Sequence, residues 1–141
     1  MTRSVSRSVV VPAPAEEVFA LLADPRRHSE IDGSGTVKGA MSGPDRLSAG
    51  ASFGMRMRYG VPYVIKNTVV EFEEGRRIAW RHFGHHVWRY ELEPLDGGTR
   101  VAETFDWAPA RAPKVLELLG IPARNARSIE ATLERLAARL R

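Results

Sequence analysis

The hydrophobic period of this chain changes twice, and that change limits the folds open to it. From residue 51 to Trp107 apolar residues recur at every second position. "ASFGMRMRY" places Phe53, Met55, Met57 and Tyr59 on one face and Arg56 and Arg58 on the other. "PYVIKNTVVEF", "RRIAWRH", "VWRYELE" and "TRVAETFDW" read as further strands separated by Gly-containing turns. Successive short strands with tight connections predict an antiparallel meander.

Both flanks carry helical periods instead. "RSVVVP" reads as a first strand, followed by "PAPAEEVFALLAD". There Pro14 suits a first helical position, Glu16 and Glu17 suit the first turn, and Val18, Leu21 and Leu22 form a stripe. Asp24-Pro25 opens a second short helix over "PRRHSE", and "DGSG" is a turn. After Pro109, "APKVLELLG" is a short helix that ends near Gly120 and Pro122. "NARSIEATLERLAARLR" is a longer one, with Ile129, Leu133, Leu136 and Leu140 on one stripe. The fold class is therefore α+β: one curved antiparallel sheet wrapped around a long C-terminal helix, with two short helices after strand 1.

At 141 residues, one domain over 1–141 is expected, burying roughly two-thirds of its unfolded surface. No apolar run reaches membrane-spanning length and no charged-then-apolar leader precedes "SVVVPAPAEE", so no membrane insertion and a cytoplasmic location are expected. Cysteine is absent, which excludes disulfides and thiolate chemistry. The net charge of +4 comes from arginines scattered among acids, with no dense basic block, and nucleic-acid binding is not expected.

"AWRHFGHHVWRY" is the densest chemical stretch. Parity places Ile78, Trp80 and His82 on one face of a strand and Trp88, Tyr90 and Leu92 on the same face of the next, provided the loop has an odd number of residues. A three-residue loop, Gly84-His85-His86, sets His82 opposite Trp88 and Trp80 opposite Tyr90. A four-residue loop at 95–98 then pairs Leu92 with Val101, Tyr90 with Glu103, Trp88 with Phe105, and outer-face Glu93 with Arg100. A histidine, a tyrosine hydroxyl and a carboxylate thus stand among aromatic rings on the inner wall.

These residues divide into candidate roles. Phe53, Met55, Met57, Tyr59, Trp80, Trp88 and Phe105 suit an adaptable apolar ligand pocket, and equally an ordinary core. His82, Tyr90 and Glu103 would orient a ligand's polar end, or act as acid/base candidates. An inward carboxylate such as Glu103 needs a partner, and a structural hydrogen bond to Tyr90 competes with a functional role. With His82 inward and His85 and His86 in the turn, no convergent ligand set forms, and neither metal nor cofactor is expected. No G-x-S-x-G motif is present, and "GSGTVKG" is not a phosphate-binding loop.

"VVVPAPAEEVFALLADPRRHSEID", "VVEFEEGRRIAWR", "WRYELEPLDGGTRVAETFDW" and "IEATLERLAARL" together resemble the polyketide cyclase/dehydrase branch of the START-like (SRPBCC) superfamily, over nearly the whole chain. The resemblance implies a helix-grip fold around an internal apolar cavity. It also implies either a lipid or polyketide-like ligand or a cyclase/dehydratase activity. The iron and Rieske ligands of the oxygenase branch are not seen in this chain. Three functions stay open. The first is a binding protein for a small hydrophobic or aromatic molecule. The second is a cyclase or dehydratase using Glu103 or His82 as base and Tyr90 as donor, and the third is a protein-interaction module.

Overall fold

The computed structural model describes residues 2–140. Seven antiparallel strands form one sheet: β1 (Ser4–Val11), β2 (Val37–Ser42), β3 (Ser52–Tyr59), β4 (Val61–Glu73), β5 (Arg77–Arg81), β6 (Val87–Leu95) and β7 (Gly98–Asp106). Their spatial order is β1-β7-β6-β5-β4-β3-β2, so the meander runs from β2 to β7 and β1 closes beside β7. The sheet curls around the C-terminal helix as a half-barrel, the α+β helix-grip architecture.

Two short helical segments follow β1. Helix α1 (Ala15–Leu22) buries Val18, Phe19, Leu21 and Leu22 and keeps Glu16 and Glu17 in its first turn, where carboxylates meet the positive end of the helix dipole. A 3-10 turn (Pro25–Arg27) then runs into α2 (His28–Ile31). The Asp24 side chain accepts from the Arg26 backbone N–H at 3.0 Å and fixes where that turn starts. Near the C-terminus, α3 (Pro113–Leu118) is anchored by Glu117, which accepts from Trp107 Nε1 at 2.8 Å and from Arg3 Nε at 3.2 Å.

Helix α4 (Ile121–Arg139) is the element the sheet grips. It buries Asn125, Ala126, Ile129, Thr132, Leu133, Leu136 and Ala137 on one face and presents Arg127, Glu130, Glu134 and Arg135 to water. That stripe faces the same core as Val11, Ile78, Leu92, Val101 and Phe105. The convex face of the sheet carries ion pairs instead, including Arg89–Glu71, Arg77–Glu91 and the expected Glu93–Arg100 pair at 2.9 Å.

The β6–β7 register is the one expected: Leu92 opposite Val101, Tyr90 opposite Glu103 and Trp88 opposite Phe105. Only the connection is tighter. Leu95 pairs with Gly98, which leaves a two-residue Asp96-Gly97 turn with Gly97 at φ 80°.

The β5–β6 register differs from expectation by two residues. Ile78 lies opposite Tyr90 and Trp80 opposite Trp88, and His82 stands in a five-residue loop rather than in the strand. Parity allows any odd loop, so three and five residues serve it equally. Charge separates them: the shorter loop would set Arg81 against Arg89, whereas the observed register pairs Arg77 with Glu91 at 3.1 Å. Arg111 holds the longer loop, donating from Nε to the Phe83 carbonyl (2.7 Å) and from its backbone N–H to the Gly84 carbonyl (3.0 Å).

Strand β2 is the one element the sequence pattern does not announce. Its segment "VKGAMS" has neither clean alternation nor β-branched density, and bulges interrupt its pairing with β3. Sheet addition at an edge supplies what local propensity lacks.

Because α4 contributes one face to everything beneath it, Leu136→Ala should remove about 2–5 kcal/mol of stability, measured by urea denaturation. Exposed Glu134→Ala should stay within about 0.5 kcal/mol. A loss below about 1 kcal/mol at Leu136 would mean that the helix is not closed onto the sheet as described.

Candidate active or binding cavity

The concave sheet is wider than one helix can fill. Between β3–β7, α2 and α4 remains a cavity of about 440 Å3, within the size range of small-molecule sites. Its wall is built by parity. On β3, alternate residues Phe53, Met55, Met57 and Tyr59 point inward, and on β4 so do Tyr63, Ile65 and Asn67. Trp80 of β5, Trp88 and Tyr90 of β6, and Glu103 of β7 continue the wall, and His82 borders it from the β5–β6 loop.

Phe105 is placed differently. It is fully buried behind the wall, with ring centroids 4.9 Å from Trp88, 5.3 Å from His86 and 5.6 Å from Trp107, and it does not line the cavity. Tyr59 marks the opposite extreme. It is 62% exposed at the β3–β4 hairpin, where the Arg124 guanidinium lies 5.1 Å from its ring centre.

The apolar wall is ordered by aromatic packing. His28 stacks on Trp80 at 4.9 Å and 19°. Phe53 meets both rings edge-on at 5.6 Å, and Trp80 leans on Tyr90 at 5.8 Å. His28 Nε2–H donates to the Leu22 carbonyl at 2.8 Å. Burial lowers the His28 pKa against that hydrogen bond, so the stacked ring is neutral at pH 7.

Two polar side chains on the cavity lining are hydrogen-bonded within the chain. Thr132 Oγ1 accepts from the Gly33 N–H at 2.9 Å. The Asp32 carboxylate accepts from Ser34 N–H (3.1 Å), Ser34 Oγ–H (2.7 Å) and Val37 N–H (3.1 Å).

Glu103 is the departure from this pattern. Its residue is 4% exposed, Tyr90 stands opposite it across the strands, and Oε1 has no partner. Burial pushes the Glu103 pKa up to about 8. The charge of Asp32 adds to the rise and the Tyr90 hydroxyl opposes it. At neutral pH the carboxyl is therefore chiefly protonated, a hydrogen-bond donor rather than a base. Burial likewise raises Tyr90 well above its ordinary value.

His82 and His86 form a second polar group at the β5–β6 loop. His86 was expected to sit apart from His82 in the turn. Instead the longer loop, with His85 at φ 65°, turns it inward, and the two rings meet edge-to-face at 4.2 Å. His86 Nδ1 is buried without a partner, and burial together with His82 lowers its pKa to about 4. Burial lowers that of His82 as well. Both rings are neutral at pH 7. Among the described residues, no set of three or more His, Asp or Glu side chains converges as metal ligands. No helix among them is long and apolar enough to cross a membrane.

Several cavity residues escaped the sequence reading. Asn67 follows Tyr63 and Ile65 on the inner parity of β4. Asn125 and Thr132 share the stripe of Ile129 and Leu136. Polar residues on an otherwise apolar periodic face were the signal that would have found them. His28 gave no such signal, because its helix is too short to have a readable period.

Comparison with known proteins agrees with this architecture. Residues 2–141 match the family described as polyketide cyclase / dehydrase and lipid transport. The chain is 46% identical over 139 residues to the uncharacterized protein Rv0088 of Mycobacterium tuberculosis, covering 94% of this chain and 62% of that protein. It thus spans about three-fifths of that relative's length. Among solved structures, the Polyketide_cyc-like protein Cgl2372 of Corynebacterium glutamicum is 24% identical with a TM-score of 0.64, over 100% of this chain and 91% of that one. The AHSA1-like protein of Aeromonas hydrophila is 18% identical with a TM-score of 0.69, over 98% and 95%. Likenesses at these identities speak to the fold, whereas the family match spans the sequence itself. The chain belongs to the polyketide cyclase/dehydrase and lipid transport family.

Proposed function

We propose that the cavity binds a hydrophobic small molecule bearing an acceptor oxygen. One observation carries this reading: Glu103, a buried carboxyl whose Oε1 has no partner, is part of the lining of an otherwise mostly apolar cavity. An unsatisfied buried polar atom is destabilising by about 1–3 kcal/mol, and a ligand carbonyl or hydroxyl accepting from the protonated carboxyl would relieve it. Phe53, Met55, Met57, Tyr59, Trp80 and Trp88 would supply the apolar contact, at roughly 25 cal/mol per Å2 of ligand surface buried. Methionines beside rigid aromatic rings let the wall adapt to shape. Tyr90, opposite Glu103 in the sheet, would orient the donor, and His82 would border the ligand from the loop.

A cyclase or dehydratase reading has one specific support. A carboxyl protonated at pH 7 is placed to polarise a ketone or to protonate a departing hydroxyl, with Tyr90 as second donor. In that reading Glu103 is a general acid at neutral pH. The role of base would fall to neutral His82, or to Glu103 itself above pH 8.

Native mass spectrometry of freshly purified protein, set against its denatured mass and an organic extract, tests binding. A retained lipophile of defined mass is expected. An empty protein that also takes up none of a fatty-acid, a flavonoid and an isoprenoid probe would remove the reading.

The protonated state of Glu103 has a thermodynamic signature. Its folded pKa of about 8 lies above its ordinary 4.5, so the folded chain holds a proton that the unfolded chain releases between those values. Stability therefore falls as pH rises through that window and levels off above about 8. The depressed histidines act the other way, their contribution being complete above about pH 6.5 and lost as pH falls toward 4. Above pH 7 they drop out. Urea denaturation should show a stability loss of about 1.4 kcal/mol between pH 7 and 9, absent in Glu103→Gln. Equal slopes in the two proteins would mean that Glu103 is charged throughout.

A further inference from the structure

Resting on the binding reading above, the cavity has a second polar point, at its mouth. Arg124 lies in the first turn of α4 and lines the cavity. It is exposed, leans over the Tyr59 ring, and enters no ion pair among the described residues. The same turn has no side-chain cap and no acidic residue, so the positive end of a 19-residue helix is uncompensated there.

Glu103, on β7, lies further along the axis of that helix. In the sheet it is the partner of Arg7, whose side chain donates to Glu130, and it feels the charge of Asp32, next to the Gly33–Thr132 contact. The Glu103 level thus corresponds to residues 130–132 of α4. That is six to eight residues from Arg124, about 9–12 Å along the helix at 1.5 Å per residue.

We propose that the ligand is an amphipathic acid with two separated oxygen functions. Its carboxylate meets Arg124 and the start of α4 at the mouth. Its chain lies along Met57, Met55 and Trp80, and an in-chain carbonyl about 10 Å deeper accepts from Glu103. An exposed guanidinium attracts an anion but would not draw it inward, since a carboxylate at the inner site would face Asp32 and lose its hydration. The polarity of the cavity therefore fixes the ligand's direction: acid outward, neutral acceptor inward. Oxo fatty acids and linear polyketide acids have this pattern, whereas hydrocarbons, simple fatty acids and neutral sterols lack one or both functions.

Four probes separate the elements, followed by Trp80 and Trp88 fluorescence or by calorimetry at pH 7: 10-oxooctadecanoic acid, its methyl ester, octadecanoic acid, and methyl octadecanoate. The oxo acid should bind tightest. Loss of either function should weaken binding about tenfold, the usual scale of one charge-assisted or buried hydrogen bond. Arg124→Gln should abolish the acid–ester difference and leave the oxo–alkyl difference intact. Glu103→Leu should do the reverse, and 0.5 M NaCl should weaken the acids but not the esters. Equal affinity for all four probes would overturn the two-point ligand while leaving hydrophobic binding standing. An acid–ester difference that survives Arg124→Gln would overturn the assignment at the mouth. Failure of all four, in a protein that also carries no lipophile, would overturn both this inference and the binding reading beneath it.

Discussion

The packing of one helix into a sheet too broad for it governs this molecule. Helix α4 offers a stripe one or two side chains wide at each turn, while seven strands offer a concave face. Where Ile129, Leu133 and Leu136 reach the sheet, the core closes around Val11, Val101 and Phe105. From Ile121 to Thr132 the same helix also lines the cavity, with Asn125, Ser128 and Thr132 among its apolar residues. Register shifts after Val69 and along the pairing of β2 with β3 interrupt the regular ladder on that side of the sheet. Core and cavity are two parts of one interface, distinguished by which residues α4 presents.

Most of that interface was legible in the sequence. The α4 stripe, the alternation in β3 and the pairing of β6 with β7 follow from period and charge. Together they placed Tyr90 beside Glu103 on an inner wall. The error at β5–β6 is instructive because parity constrains a hairpin only modulo two. The facing arginines that the shorter loop would have created were readable in the sequence, whereas the Arg111 clamp was not, since it joins residues far apart in the chain. The same limit hid β2, which depends on β3 for its ladder, and His28, whose place against Trp80 is set by three-dimensional packing alone.

Glu103 is best understood by contrast with three other polar side chains of the interior. Thr99 donates its hydroxyl to the Ala13 carbonyl at 2.8 Å, Thr132 accepts from Gly33, and His28 donates to Leu22. Each joins two segments of chain and uses its hydrogen-bonding capacity on backbone. Such contacts are how this fold spends polarity on structure. Glu103 joins no segments in this way: it stands opposite Tyr90 in the sheet, and Oε1 is left over. Replacing the pair by apolar residues of similar shape would fill the wall at no electrostatic cost. The retained carboxyl is thus poorly explained by stability.

The same contrast gives the cavity a direction. On the convex face several arginines meet carboxylates, as in Arg89–Glu71 and Arg100–Glu93, and those charges are engaged on the protein's own surface. Arg124, on the cavity lining, lies over the Tyr59 ring, and Glu103 on the same lining keeps Oε1 without a partner. One group is an exposed cation, and the other is a buried acid that is neutral at pH 7. A hydrocarbon wall lies between them. A molecule complementary to all three parts must itself change from charged to neutral along its length, so recognition here depends on order along the ligand as much as on its bulk.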